Sequence, residues 1–187
     1  MEDNRVILDA TRFKLTIDRL CYQLIETFDD MQNTCLIGIQ PRGGILSDVL
    51  KNRLTEILGT ASFDYGKLDI TFYRDDYRTR DKPLEASRTE MDFLVDNKSV
   101  VLVDDVLYTG RTVQSAMTAL NDFGRPSQVE LLALVDRRFN RHLPIQADFT
   151  GIRVDSLDEA YVKVVWDPDG IDNSILLFPD KKSVTDS

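Results

Sequence analysis

After Asp9, a side chain suited to capping, the apolar positions Ile17, Leu20, Cys21, Leu24, Ile25 and Phe28 recur three and four residues apart. This spacing predicts an amphipathic helix over residues 10–29 with its apolar stripe facing a core. CLIGI at 35–39 is a short apolar run that predicts a buried strand. It leads through Gln-Pro-Arg-Gly-Gly into a second helical pattern at Ile45, Leu46, Val49, Leu50, Leu54 and Leu58. LDITFY at 68–73 reads as a further strand. VVLV at 100–103 is another, followed by a helix carrying Val113, Ala116, Met117, Leu120 and Phe123 that Gly124 stops. ELLALV at 130–135 is again a buried strand, and DFTGI, YVKVVW and SILLF predict shorter strands towards the C-terminus. Strands alternating with helices imply a mainly parallel sheet with helices on both faces.

In such a sheet, ligands sit at the carboxyl ends of the strands beside helix N-termini. Asp104 and Asp105 fall at the carboxyl end of VVLV. The amides of residues 107–112 lie in the turn entering the next helix, where unpaired N–H groups and the helix dipole attract an anion. The economical arrangement places a phosphate in the Thr109-Gly110-Arg111-Thr112 turn and leaves the aspartates to face a neutral polyol or a metal. A sugar phosphate has both ends. An ordinary strand-turn-helix with solvated aspartates is the bland alternative. An aspartyl-phosphate site is a third, and the T-G-R-T anion turn argues against it.

Composition narrows the classes further. A chain of 187 residues that is 42% hydrophobic can bury one core. We therefore expect one domain spanning 1–187, with a flexible flap at about 74–90 and a frayed C-terminal tail, DKKSVTDS. Cys21 and Cys35 lie in apolar segments without C-x-x-C spacing, so reduced core thiols are expected rather than a zinc site. No basic segment leads into an apolar run near the N-terminus and no stretch is long enough to span a bilayer, which makes a cytoplasmic protein the expectation. The net charge of −9 disfavours broad, nonspecific nucleic-acid binding.

The full string V-V-L-V-D-D-V-L-Y-T-G-R-T resembles the phosphoribosyl-pyrophosphate (PRPP) signature of the type I phosphoribosyltransferases. Its D-D-V-L-Y-T-G-R-T form is similar to that of the pyrimidine operon attenuator and uracil phosphoribosyltransferase family. I-G-I-Q-P-R-G-G at 37–44, L-D-I-T-F-Y-R-D-D at 68–76, G-R-P-S at 124–127, L-V-D-R at 134–137 and L-P-I-Q-A-D at 143–148 follow in the family's order. The resemblance covers nearly the entire chain. It implies a mainly parallel sheet flanked by helices, with a small hood and a mobile flap.

It also implies a reaction: transfer of the phosphoribosyl group from PRPP to uracil, giving UMP and pyrophosphate, in nucleotide salvage. Asp104 and Asp105 would hold the ribose hydroxyls and favour the cationic character that develops on the sugar. Residues Val106, Leu107, Tyr108, Thr109, Gly110, Arg111 and Thr112 would receive the 5-phosphate. Pro41, Arg42 and Gly43 resemble the pyrophosphate loop, with Arg42 clasping the diphosphate. Mg2+ would be carried mainly by PRPP oxygens rather than by a dedicated protein cage. The family usually has Thr where this chain has Pro41, with a cis peptide before the arginine; here that bond would join Pro41 to Arg42. The charged stretch from Tyr73 would form the flap, bringing Arg74 or Arg78 near the phosphates and excluding water.

L-V-D-R ends another strand at the same rim, which places backbone atoms near Val135 and the Arg137 side chain at a nucleobase edge, and the resemblance puts Arg137 and Val162 beside the uracil. Arg138-Phe139-Asn140-Arg141-His142 replaces the family's shorter Gly-His segment, and His142, without an evident carboxylate partner, reads as a surface residue. The functional alternatives are a nucleotide-sensing RNA-binding regulator of pyrimidine genes and a phosphoribosyltransferase for another base. RNA binding is disfavoured by the net charge and by Asp18, Tyr22 and Thr27 where RNA-binding members show Thr, His and Arg. Family members associate, so a homodimer or higher homo-oligomer is expected.

Overall fold

A computed structural model describes residues 4–74, 87–155 and 160–179. Arg78, most of the expected flap and the C-terminal tail lie outside the described residues. Five parallel strands form the main sheet: β2 (Thr34–Ile39), β3 (Asp64–Leu68), β4 (Ser99–Leu107), β5 (Gln128–Arg138) and β6 (Phe149–Asp155), in the order β3-β2-β4-β5-β6. A smaller antiparallel sheet, the hood, has the order β1-β8-β7, formed by β1 (Arg5–Leu8), β7 (Tyr161–Val165) and β8 (Ser174–Phe178). β1 had no forecast in the sequence reading. Its pairing with β8, Arg5 opposite Leu177, joins segments from opposite ends of the chain.

Alternation along the central strands explains why the helices divide between two faces. Leu36, Val101, Val103, Leu132 and Leu134 pack with α1 (Ala10–Phe28) and α2 (Arg42–Leu58), whereas Cys35, Ile37, Val100, Leu102 and Ala133 pack with α3 (Arg111–Leu120). α1 starts as its sequence suggests: the Asp9 carboxylate accepts the Arg12 amide at 2.8 Å. Its buried residues include Ile17, Leu20, Cys21 and Leu24, and both cysteines are buried free thiols. Burial pushes each thiol up to about 12. The hood residues Leu8, Val162, Val164 and Ile175 join the core beneath α1. Among the described residues no helix is long and apolar enough to cross a membrane.

Three local expectations need correction. LDITFY is not a strand: β3 ends at Leu68, and Thr71–Tyr73 form a 3₁₀ turn. The Asp69 carboxylate accepts both the Thr71 amide (3.2 Å) and the Thr71 hydroxyl (2.7 Å), a local turn that competes with strand pairing. α3 closes earlier than Phe123, through a 3₁₀ turn at Asn121–Phe123 before Gly124, and Met117 is exposed rather than in the core. The cis peptide is Gln40–Pro41 rather than Pro41–Arg42, at the one bond where a tertiary amide lowers the trans preference.

Candidate active site

Three segments meet at the carboxyl rim of the main sheet: the end of β4, the start of α2 and the start of α3. β4 continues past the predicted VVLV to Leu107, so Asp104 and Asp105 are embedded in a strand flanked by β2 and β5. They are 7% and 5% exposed. The Asp105 amide donates to Asp104 Oδ1 at 3.0 Å, while Asp105 Oδ2 is buried with no hydrogen-bond partner. Burial, followed by the charge of Asp105, raises the Asp104 pKa against the opposing influence of the Asp105 amide, Arg42 and Arg74. Burial raises Asp105 as well, with Arg42 as the principal opposing charge. Two adjacent carboxylates in so dry a place are acceptors in wait of a cation or hydroxyl donors.

Arg42 and Gly43 open α2 directly beside them. A Cβ on Gly43 would lie 2.2 Å from the Val103 carbonyl oxygen and 3.1 Å from Asp104 Cα, so only glycine lets this loop approach β4 so closely. Arg42 Nη1 donates to the Tyr161 hydroxyl at 3.3 Å, linking the loop to the hood. Burial works against the Arg42 charge, but Tyr161, Asp105 and Asp104 outweigh it and the net shift is upward. Pro41, exposed, occupies the N-cap position of α2.

A cleft of about 480 Å³ runs along the α3 entry. It is lined by Arg74, Asp104, Val106, Leu107, Tyr108, Thr109, Gly110, Arg111 and Thr112, so the structure brings one aspartate and the whole anion turn into a single cavity. Gly110 caps α3 with φ 91°, a left-handed conformation suited to glycine. Arg74 follows the 3₁₀ turn, where the Tyr73 hydroxyl donates to Asp122. At the other end of the expected flap, Glu90 pairs with Lys67 beside β3 through backbone bonds of 2.8 and 3.0 Å.

On the far side of β4, Arg137 is 5% exposed. Its Nη2 donates to the Ala160 carbonyl at 2.7 Å, and its guanidinium lies 4.1 Å from the centre of the Tyr108 ring. Arg137 thus spans the hood and the anion turn. Val135 and Val162 are packed in the core and line neither this cleft nor its neighbour around Arg138 and Phe139. His142 is exposed, and its backbone amide donates to the Thr109 carbonyl at 3.0 Å.

Sequence reading missed Tyr161, Ala160 and Asp136. Arg141, which the sequence shows only within the segment that replaces the shorter Gly-His, donates to both the Tyr108 carbonyl and Asp136. Of these, only Asp136 carried a signal in the chain, its place near the carboxyl end of a parallel strand; Tyr161 and Ala160 lie at the start of a strand of the antiparallel hood. Among the described residues no cluster of three His, Cys, Asp or Glu side chains could hold a metal by itself.

Residues 4–169 match the model of the phosphoribosyl transferase domain. The bifunctional protein PyrR of Geobacter sp. (strain M21) is 41% identical over 177 residues, covering 95% of this chain and 99% of that protein. The bifunctional protein PyrR of Gloeothece citriformis is 44% identical over 172 residues, covering 91% and 96%. The hypoxanthine phosphoribosyltransferase structure of Trypanosoma cruzi superposes with a TM-score of 0.69 over 95% of this chain and 97% of that one; at 13% identity it speaks to the fold alone. With a family model spanning most of its length and relatives this similar at full length, the chain belongs to the phosphoribosyl transferase domain family.

Proposed function

We propose that the protein transfers the phosphoribosyl group from PRPP to uracil, releasing pyrophosphate and forming UMP. The observation that carries this reading is the buried Asp104–Asp105 pair, one oxygen of it unpartnered, set between an arginine-bearing loop and a cleft lined by an anion turn. A ligand that is cationic or hydroxylated in the middle and anionic at both ends satisfies all three. In the reaction, uracil N1 bonds to the anomeric carbon as the bond from that carbon to the diphosphate oxygen breaks. The N1 proton leaves to solvent or base, and the diphosphate takes the bonding pair.

Each group has a task in that displacement. The turn at 108–112 receives the 5-phosphate on its amides and on the N-terminus of α3. Asp104 and Asp105 accept the ribose hydroxyls and favour positive charge on the sugar as the leaving bond stretches. Arg42 and the Gly43 loop hold the diphosphate on the hood side. The aspartate pair, with its orphaned Oδ2, fits a magnesium ion held mainly through diphosphate and ribose oxygens; when bound, that ion neutralises the leaving group. Arg74, which lines the same cleft, adds positive charge on the phosphate side. Arg137 lies beside the base and stabilises the anion formed at N1, with the Val135 and Val162 backbone at its edges.

A panel of free bases with PRPP and magnesium, followed by pyrophosphate release, tests the reading. Uracil is expected to drive release and yield UMP; release driven by hypoxanthine or guanine instead would contradict it. Arg137→Ala is expected to raise KM for uracil about tenfold or more with a smaller effect on KM for PRPP. Equal losses for both substrates would remove Arg137 from the base site.

That the relatives are bifunctional proteins supports a second role beside transfer, which we read as RNA-binding regulation of pyrimidine genes. One acidic replacement on α1 weighs less against it than the sequence suggested: Asp18 accepts from Arg53 Nε of α2 at 2.6 Å and is neutralised within the fold. A pyrimidine-leader hairpin and its scrambled counterpart, compared at moderate salt with uridine nucleotide present, decide it. Selective, nucleotide-enhanced binding supports regulation, and equal weak binding of both hairpins removes it.

A further inference from the structure

The anion turn at 108–110 lies outside helix and strand, its local bond from the Arg111 amide to Thr109 Oγ1 is long at 3.4 Å, and Gly110 caps α3 without a side-chain bond. The segment that follows β5 supplies three contacts to its rear. Arg141 Nη1 donates to the Tyr108 carbonyl, the His142 amide donates to the Thr109 carbonyl at 3.0 Å, and the Leu143 amide reaches the same oxygen at 3.3 Å. Ile145 and Leu143 close the packing, since a Cβ on Gly110 would meet their side chains at 3.2 and 3.5 Å. Arg141 is itself anchored, its Nη2 lying 2.5 Å from Asp136 Oδ1, with side-chain exposures of 22% and 14%.

Peptide geometry gives these contacts a direction. In a trans peptide the carbonyl and the following N–H point to opposite sides, and the only cis bond among the described residues is Gln40–Pro41. Holding the Tyr108 and Thr109 carbonyls to the rear therefore turns the Thr109 and Gly110 amides to the front, into the cleft that both residues line. We propose that Arg141, anchored by Asp136, is a positioning residue for phosphate binding: it sets the amides of the anion turn without touching the ligand. The inference rests on the reading that this turn receives the 5-phosphate of PRPP. Asp136 immediately precedes Arg137 in β5, so the same strand end orients the phosphate turn and carries the arginine beside the base.

The test uses Arg141→Met, which keeps the side-chain stem and removes the donors, together with Arg141→Lys and Asp136→Asn, each checked for cooperative thermal unfolding. Ribose 5-phosphate binding is measured by calorimetry, independently of turnover. Arg141→Met is expected to bind about tenfold more weakly, Asp136→Asn to show a smaller loss, and Arg141→Lys to recover most of the affinity. In transfer assays, KM for PRPP rises while KM for uracil holds. If Arg141→Met does not fold, the Asp136→Asn and Arg141→Lys measurements decide. Unchanged ribose 5-phosphate affinity in the folded variants, with the unsubstituted protein binding normally, overturns the proposal. Failure of the unsubstituted protein to bind ribose 5-phosphate removes the anion turn itself and the positioning role with it. Binding without uracil transfer overturns only the assigned reaction and leaves the positioning role standing.

Discussion

The two ends of the parallel sheet treat their charges in opposite ways. At the amino end, Lys98 pairs directly with the Asp64 carboxylate, and the buried Cys35 thiol lies 3.8 Å from the same oxygen. These three groups are partnered with one another. At the carboxyl end, Asp104 and Asp105 are more deeply buried than Asp64, one of their oxygens has no partner, and Arg42 bonds to a neutral hydroxyl rather than to either carboxylate. A fold selected only for stability has no reason to leave that oxygen bare. On the proposed reading, that open carboxylate oxygen is the acceptor a hydroxylated ligand would satisfy.

The comparison can be broken at either end. The largest expected effect is on transfer: the double variant Asp104→Asn, Asp105→Asn loses at least about 10³-fold in turnover and melts no lower than the unsubstituted protein. A parallel loss of melting temperature would make the pair structural. Next is Gly43→Ala, whose Cβ has 2.2 Å to the Val103 carbonyl oxygen. Turnover is expected to fall about 10²-fold and stability by about 1–3 kcal/mol, read by steady-state kinetics and denaturant unfolding.

Lys98→Met sharpens the contrast from the other end. Its pair with Asp64 is partly exposed, so stability should fall by about 0.5–1 kcal/mol with turnover unchanged. The smallest effect is on pH dependence. Asp104 and Asp105 have folded pKa values above their unfolded ones, so the folded state binds more protons between the two. Their ionisation therefore costs stability as pH rises from about 4 towards neutrality. The double variant should gain on the unsubstituted protein over that window, and the difference should shrink as the pH approaches 4, as read by thermal unfolding across the range.

What could be read from the chain was what is local in it. Asp104, Asp105 and the Thr109–Thr112 turn are contiguous, and the alternation of apolar strands and helices around them is enough to put that stretch on the functional rim. The bond from Arg42 to Tyr161 joins residues 119 apart, and that from Arg137 to Ala160 joins a central strand to the hood. No periodicity encodes such pairings. β1 is a four-residue segment whose strand character comes from β8, so its pattern alone said nothing. At LDITFY the apolar pattern was real, but the Asp69 side chain captured the Thr71 amide and ended the strand. Val162 carried a base-site expectation from the family resemblance and Val135 one through backbone atoms at its strand end; both side chains belong to the core, which leaves backbone atoms for that role.

On the proposed reading the buried Asp104–Asp105 pair, with its unpartnered Asp105 Oδ2, is held for a polyhydroxylated, cation-bearing ligand. Calorimetric titration with PRPP in saturating magnesium, repeated near neutral pH in buffers of different ionisation enthalpy, reads the protons exchanged on binding. Net proton release is expected, because burial raises both carboxyl pKa values and the ligand's cation and hydroxyl donors pull them down, and that release is expected to vanish in the Asp104→Asn, Asp105→Asn variant. Binding with no proton release, or with the same release in the double variant, would contradict that reading.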